Sequence, residues 1–187
     1  MIDRHGNQPD IRPLMIMCAP VLLSGKPAQL LSAGEQMVPQ VLRAARAAGL
    51  SADRMYEMPG TQKRASRTGL MIFREEALRE CLEKRENREY LGRRGYPADQ
   101  REKLLECKRR LQSYHRHCGE FPHEIGIFLG YPVWDVEEYI RHQGNDYLMN
   151  GYWKVYRYPG QAEKVFREYD AAKRRAATGD ILRRAQR

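Results

Sequence analysis

Apolar and polar positions recur along this chain in distinct rhythms, and each rhythm predicts a different element. Within 35–48, Met37, Val38, Val41, Leu42 and Ala45 fall at helical spacing and Gly49 closes the run, which predicts a helix. Residues 75–93 and 98–117 are amphipathic at the same period and predict two long helices parted by Gly95-Tyr96-Pro97. Other stretches read as extended chain. The continuous apolar run 14–18 (LMIMC), ending at Ala19-Pro20, predicts a buried strand. Residues 54–58 and 70–74 (LMIFR) predict an antiparallel pair joined by a flexible basic loop over 59–68. Residues 152–156 (YWKVY) alternate and are rich in aromatic and β-branched types, so they predict another strand. Lys26-Pro27 interrupts the chain before 28–31, which is either extended or a first helical turn. Residues 144–150 form a loop, and Pro159-Gly160 turns the chain into a last helix at 161–176.

The stretch 121–140 (FPHEIGIFLGYPVWDVEEYI) is the densest in signals. Ile125, Leu129, Val133, Val136 and Ile140 share one helical face, yet Pro132 lacks an N–H and biases Tyr131 away from helical dihedrals. Gly130 is placed to end one helix, and Asp135 to cap the next, with Glu137 and Glu138 at its positive end. The expectation is helix, short turn, helix. This spacing is also that of a DNA-reading helix-turn-helix, but a second helix carrying Asp135, Glu137 and Glu138 against Arg141 repels phosphates. A corner packed into the core is the better reading.

Together these elements predict an α+β fold: a helix-rich single domain with a small, mostly antiparallel sheet of three or four short strands, drawn from 14–18, 54–58, 70–74 and 152–156. Residues 1–13 are expected to be a disordered or extended arm, 14–170 the domain, and 171–187 a basic helix or tail. At 187 residues the chain can enclose a core without staples.

Composition narrows the setting. No apolar run approaches the roughly twenty residues of a membrane span, and the polar start MIDRHGNQPDIRP lacks the apolar centre of a secretory signal, so the cytoplasm and no membrane partner are expected. Cys18, Cys81, Cys107 and Cys118 form no CxxC pair and read as reduced thiols. His115, His117 and Cys118, with His123 nearby, are compressed among arginines, a poor surround for a divalent ion, so no metal is expected. The net charge of +9 is uneven: residues 61–118 hold 16 Lys and Arg against 9 acids, 151–187 hold 10 against 4, and 119–150 hold 1 against 6. On 75–94 the bases interleave with Glu, as in Glu75/Arg79, Glu80/Lys84 and Glu89/Arg93, which describes a solvated helix. Nucleic-acid contact through the basic helices and tail is open but not favoured.

Two chemistries remain. Cys18 with His123, and Glu124 beside it, has the residue types of a thiol hydrolase or acyl transferase, with Lys26 to stabilise an anion and Tyr152 and Trp153 to wall a pocket. Against it, Cys18 follows an apolar run and reads equally as a buried core thiol, and adjacent helical positions prevent Glu124 from orienting His123. Alternatively Lys26, Arg74 and Lys154 converge on an anionic group without catalysis, making a binding or accessory module for an anionic small molecule or acidic partner. These residues leave the cofactor open.

The segments CAPVLLSGKPAQL, LMIFR, FPHEIGIFLGYPVWDVEEYI and GYWKVY occur in an order that resembles the bacterial domain-of-unknown-function family 3793, roughly from Cys18 to Tyr169. The chain departs from that pattern in its basic tail and at Arg157-Tyr158-Pro159. The resemblance implies a shared fold and a small cytoplasmic bacterial protein, and carries no assigned activity.

Overall fold

The central strand of the sheet explains the plan of the molecule. In the computed structural model, which describes residues 9–178 apart from Lys63 and Cys118, strand β3 (Arg67–Phe73) is buried from Thr68 onward. A strand hidden on both faces reads as a continuous apolar run, as LMIF does, because each face needs its own apolar side chains. Strand β1 (Ala28–Gly34) and strand β2 (Ser51–Met58) flank it, both antiparallel, in the order β1-β3-β2. Leu31, Ala33, Leu70 and Ile72 point to one face, where Cys18, Val21, Val38 and Val41 pack on them. Ala28, Met71 and Phe73 point to the other, joined by Met55 and Tyr56.

Helices cover both faces. Helix α1 (Arg12–Met17), α2 (Ala19–Leu23) and α3 (Val38–Ala47), the last entered by a short 3-10 turn, close the first face. Helix α4 (Glu75–Glu83), α5 (Arg85–Arg93), α6 (Gln100–His117), α7 (Ile125–Phe128) and α8 (Val133–Arg141) close the second. A separate two-stranded hairpin, β4 (Met149–Asn150) and β5 (Lys154–Val155), follows, then the long α9 (Pro159–Thr178). Helix α9 sets Phe166 and Tyr169 against the hairpin, and Ala172 and Ala176 against Ala19. The fold is α+β as expected and β2 and β3 are antiparallel neighbours, but β3 begins inside the expected 59–68 loop, so 54–58 pairs with 67–70 and 71–73 pairs with 51–53.

Several elements differ from the expectation. Residues 14–18 are not a strand but lie in and after α1, where Pro13 sits in the first turn and pre-sets helical φ. A five-residue apolar run carries no period long enough to separate helix from strand. The third sheet strand is instead β1, where Ala28 faces one apolar layer and Leu31 and Ala33 the other. Residues 152–156 do not join the sheet; among the described residues β5 pairs with β4 alone. The helix expected over 75–93 breaks at Lys84, whose ψ is 136°, and Asn87 turns its amide back onto the Cys81 carbonyl at 2.7 Å. Ion pairs on this stretch form between Arg79 and Glu76 and between Arg85 and Glu89. Glu75 instead accepts from Ser51. Residues 1–8, Cys118 and the end of the basic tail, with Arg183, Arg184 and Arg187, lie outside the described residues.

Gly69 carries a strict steric demand. The Tyr56 ring lies flat across it, so an added Cβ would sit 2.3 Å from ring carbon Cε1. That placement lets Tyr56 stack on His115 of α6, ring centres 3.9 Å apart, and so docks the long helix on the sheet. Gly69→Ala is expected to cost about 1–3 kcal/mol, the range for overpacking. Chemical denaturation measures it, and a second change, Tyr56→Ala, should remove most of the Gly69→Ala penalty.

A ring-lined cavity beside the hairpin

The buried carboxylate of Asp135 organises this region. Pro132 rather than Asp135 occupies the cap position of α8, and Asp135 makes no capping bond; it turns inward and is 3% exposed. Its Oδ2 accepts the Trp153 indole N–H at 2.8 Å, and its Oδ1 accepts the backbone N–H groups of Tyr156 at 2.8 Å and Arg157 at 3.2 Å. One helical turn on, Glu138 accepts from Arg157 at 2.8 Å and from Arg141 at 3.0 Å. Trp153 is thereby held against Tyr131, ring centres 5.2 Å apart and nearly parallel, with Phe166 edge-on at 4.5 Å.

The Tyr131 and Trp153 pair separates two cavities. One, of about 570 Å³, is lined by Leu30, Phe121, His123, Leu129, Tyr131, Val136, Tyr139, Tyr152, Trp153 and Lys154, among others. The other, of about 550 Å³, shares Tyr131, Asp135 and Trp153 and adds Arg74, Glu80, Lys84, Trp134 and Tyr158. In the first cavity His123 lies between the rings of Phe121 and Tyr139, each 5.1 Å away. Burial there lowers its pKa below the ordinary histidine value, which favours the neutral imidazole at pH 7. Lys154 donates to the Gly144 carbonyl at 2.5 Å and lies 4.8 Å from the Tyr147 ring centre and 5.7 Å from that of Tyr139. The carbonyl reaches it because Gln143, Gly144 and Asp146 all adopt positive φ, folding the loop tightly back.

The residues singled out in the sequence are thus partly gathered. His123, Tyr152, Trp153 and Lys154 line one cavity. Arg74 lines the other and donates to the Leu22 carbonyl at 2.7 Å. Glu124 turns away to a smaller cleft, facing Arg110 at 3.4 Å and Arg94 at 4.0 Å. Cys18 is not brought to His123. It is fully buried among Val21, Leu31 and Val38 on one face of the sheet, whereas His123 belongs to the other. Desolvation pushes the Cys18 thiol up to about 12, only partly offset by the charge of Lys26. A strand and its cross-strand neighbours stand between the proposed nucleophile and its base.

Lys26 is 2% exposed and donates to Gln29 Oε1 at 2.7 Å, with the Tyr152 and Tyr169 ring centres 5.6 and 5.5 Å away. Burial first, and the nearby charge of Lys173 second, lower its pKa to about 8. No local pattern signals that Tyr131 and Tyr139 complete the cavity wall or that Asp135 anchors it. A buried indole and a short hairpin both need an acceptor, and Asp135 on the apolar face of its helix was the available one. Among the described residues no group of three His, Cys, Asp or Glu side chains is placed to hold a metal ion.

A helix-rich α+β fold with a ring-walled cavity, its lining free of cysteine and serine, defines the general class of this protein. The chain belongs to the family described as Protein of unknown function (DUF3793), whose model matches residues 14–181. Neither a curated protein nor a solved structure matches it. No helix among the described residues is long and apolar enough to cross a membrane.

Removing the anchor tests this geometry. Asp135→Ala leaves three N–H donors without their acceptor and should cost about 2–4 kcal/mol in denaturant unfolding. Hydrogen exchange should accelerate at the Tyr156 and Arg157 amides before the sheet amides respond. Lys26 gives a pH signature. Its folded pKa, about 8, lies below the ordinary 10.5, so between those values the unfolded chain holds more protons and stability contributed by this group rises with pH. Below pH 8 the penalty of the buried charge is fully present. Lys26→Met should therefore stabilise the protein at pH 7 by about 1–3 kcal/mol and lose that advantage as pH rises. The difference between the two proteins isolates this group from the buried thiols, which titrate in the opposite sense above pH 9.

Proposed function

We propose that this protein is a non-covalent binding or accessory module whose cavity beside the hairpin takes a small molecule with a flat ring and an acidic group. The single observation behind this reading is the convergence of His123 from the corner and Tyr152, Trp153 and Lys154 from the hairpin on one space of about 570 Å³. That volume suits a drug-sized ligand, and apolar walls with few polar groups are the usual make-up of such sites. The rings supply stacking surface, and the Lys154 ammonium, half-buried at the loop, supplies the cation for a carboxylate or phosphate. A neutral His123 adds a hydrogen-bonding nitrogen without competing for the anion.

Thiol chemistry has less in its favour, since the three described cysteines are buried and desolvation raises each thiol. Nucleic-acid contact is weakened because many helix arginines already face carboxylates: Arg79, Arg85, Arg109, Arg110 and Arg167 all do. Reduced, buried thiols suit the bacterial cytoplasm, which we take as the setting.

The test compares acids with neutral ring analogues. Indole-3-acetate and phenyl phosphate should raise the melting temperature by about 3–6 °C at saturating concentration, and tryptophol and phenol by much less. Lys154→Ala should weaken the acids about 5–30-fold and leave the neutral compounds alone. Equal shifts for acids and neutral analogues, or an unchanged response in Lys154→Ala, would remove the anion from the proposal.

A further inference from the structure

Among the described residues two lysines are buried, Lys26 at 2% and Lys103 at 1% exposure, and their charges are met in different ways. Lys103 donates to the Ala98 carbonyl at 2.5 Å and faces the Glu83 carboxylate at 3.4 Å. Lys26 has no carboxylate within ion-pair distance among the described residues and one side-chain acceptor, Gln29 Oε1. An ammonium carries three N–H donors, so two of them are left to the faces of Tyr152 and Tyr169.

Its surroundings do not supply the missing negative charge. The groups facing it are the Cys18 thiol between α1 and α2, Gln29 from β1, Tyr152 from the hairpin, and Tyr169 and Lys173 from α9. Lys173 adds a second cation, 4.4 Å from the same Tyr152 ring centre. The nearby Asp170 carboxylate is engaged by the Tyr152 hydroxyl at 2.7 Å. Meanwhile Tyr152 lines the cavity, and Gln29 donates to the carbonyl of Leu30, which lines it too. The unpaired ammonium therefore lies one ring behind the cavity wall.

We propose that Lys26 is the hidden counter-charge of this cavity: binding of an acid against the Tyr152 wall draws a proton from solvent onto whatever share of Lys26 is still the free amine. No covalent bond is made or broken, and the proton balance is amine plus solvent proton to ammonium. The inference rests on the cavity being a ligand site and narrows its ligand to ring acids that remain ionised above pH 8, carboxylates or phosphates. Across a poorly hydrated wall the attraction between the two charges is only weakly screened, so the bound anion shifts the lysine toward its charged form.

Calorimetry tests this with indole-3-acetate at pH 8, in buffers of differing ionisation enthalpy, so that the slope of heat against buffer enthalpy counts protons. Wild type should take up about 0.3–0.5 proton per ligand, the most a half-protonated amine can accept. Uptake should vanish in Lys26→Met and persist in His123→Gln, which excludes the cavity imidazole as the acceptor. Lys173→Met, which removes the neighbouring cation and needs no buried substitution, should lower uptake at pH 8 because a larger share of Lys26 is then charged before the ligand binds. Normal binding heat without buffer dependence, or uptake surviving in Lys26→Met, overturns the assignment of Lys26 while leaving the cavity reading intact. No heat in any buffer together with no shift in melting temperature overturns both.

Discussion

The hairpin of residues 149–155 is too short to hold itself. Its strands are two residues each, and an isolated two-stranded ribbon is at best marginal in water. What fixes it is one buried carboxylate, Asp135, which receives an indole N–H and two backbone N–H groups from the chain around β5. Such a fully satisfied polar cluster in low dielectric is rigid, and its loss leaves several donors buried without acceptors. The position of Trp153, and so the partition between two cavities, follows from that constraint.

The sheet sets the second limit on function. Because β3 is buried on both faces, the molecule has two apolar layers, and chemistry-bearing residues on opposite layers cannot meet. Cys18 is committed to one layer and His123 to the other. The hairpin and the corner lie on the same side, which is why rings and Lys154 gather there. Lys26 is the exception that spans the boundary: it leaves the chain just before β1 and ends under Tyr152, carrying a charge that the fold itself does not balance.

Much of this could be read from residue patterns. The helix at 35–48, the antiparallel relation of β2 and β3, and the corner with Gly130 at its turn all rest on periodicity or on backbone rules that act locally. The burial of Trp153 and Val155 against half-exposed Tyr152 and Lys154 follows the same logic. The segments 121–140 and 151–156, which carried the family resemblance, also turn out to be the two walls of one cavity. What could not be read depends on contacts far apart in sequence. The five residues LMIMC read as a strand and proved helical because so short a run carries no period, and the pairing of β1 depends on a partner distant in sequence. Asp135 had the local signature of a cap, but a distant indole made the stronger claim on it. The separation of Cys18 from His123 follows from the two apolar layers that lie on opposite faces of the sheet.

The most direct test of the cavity as a ligand site uses the two tryptophans, because Trp153 lines both cavities whereas Trp134 lines only the second. In a proton–nitrogen correlation spectrum titrated with phenyl phosphate, the Trp153 indole signal and the amides of Gly151, Tyr152 and Lys154 should move together and saturate, with the Trp134 indole signal stationary. Movement centred on Trp134, or on the arginine cleft near Glu124 with Trp153 unmoved, would contradict the account.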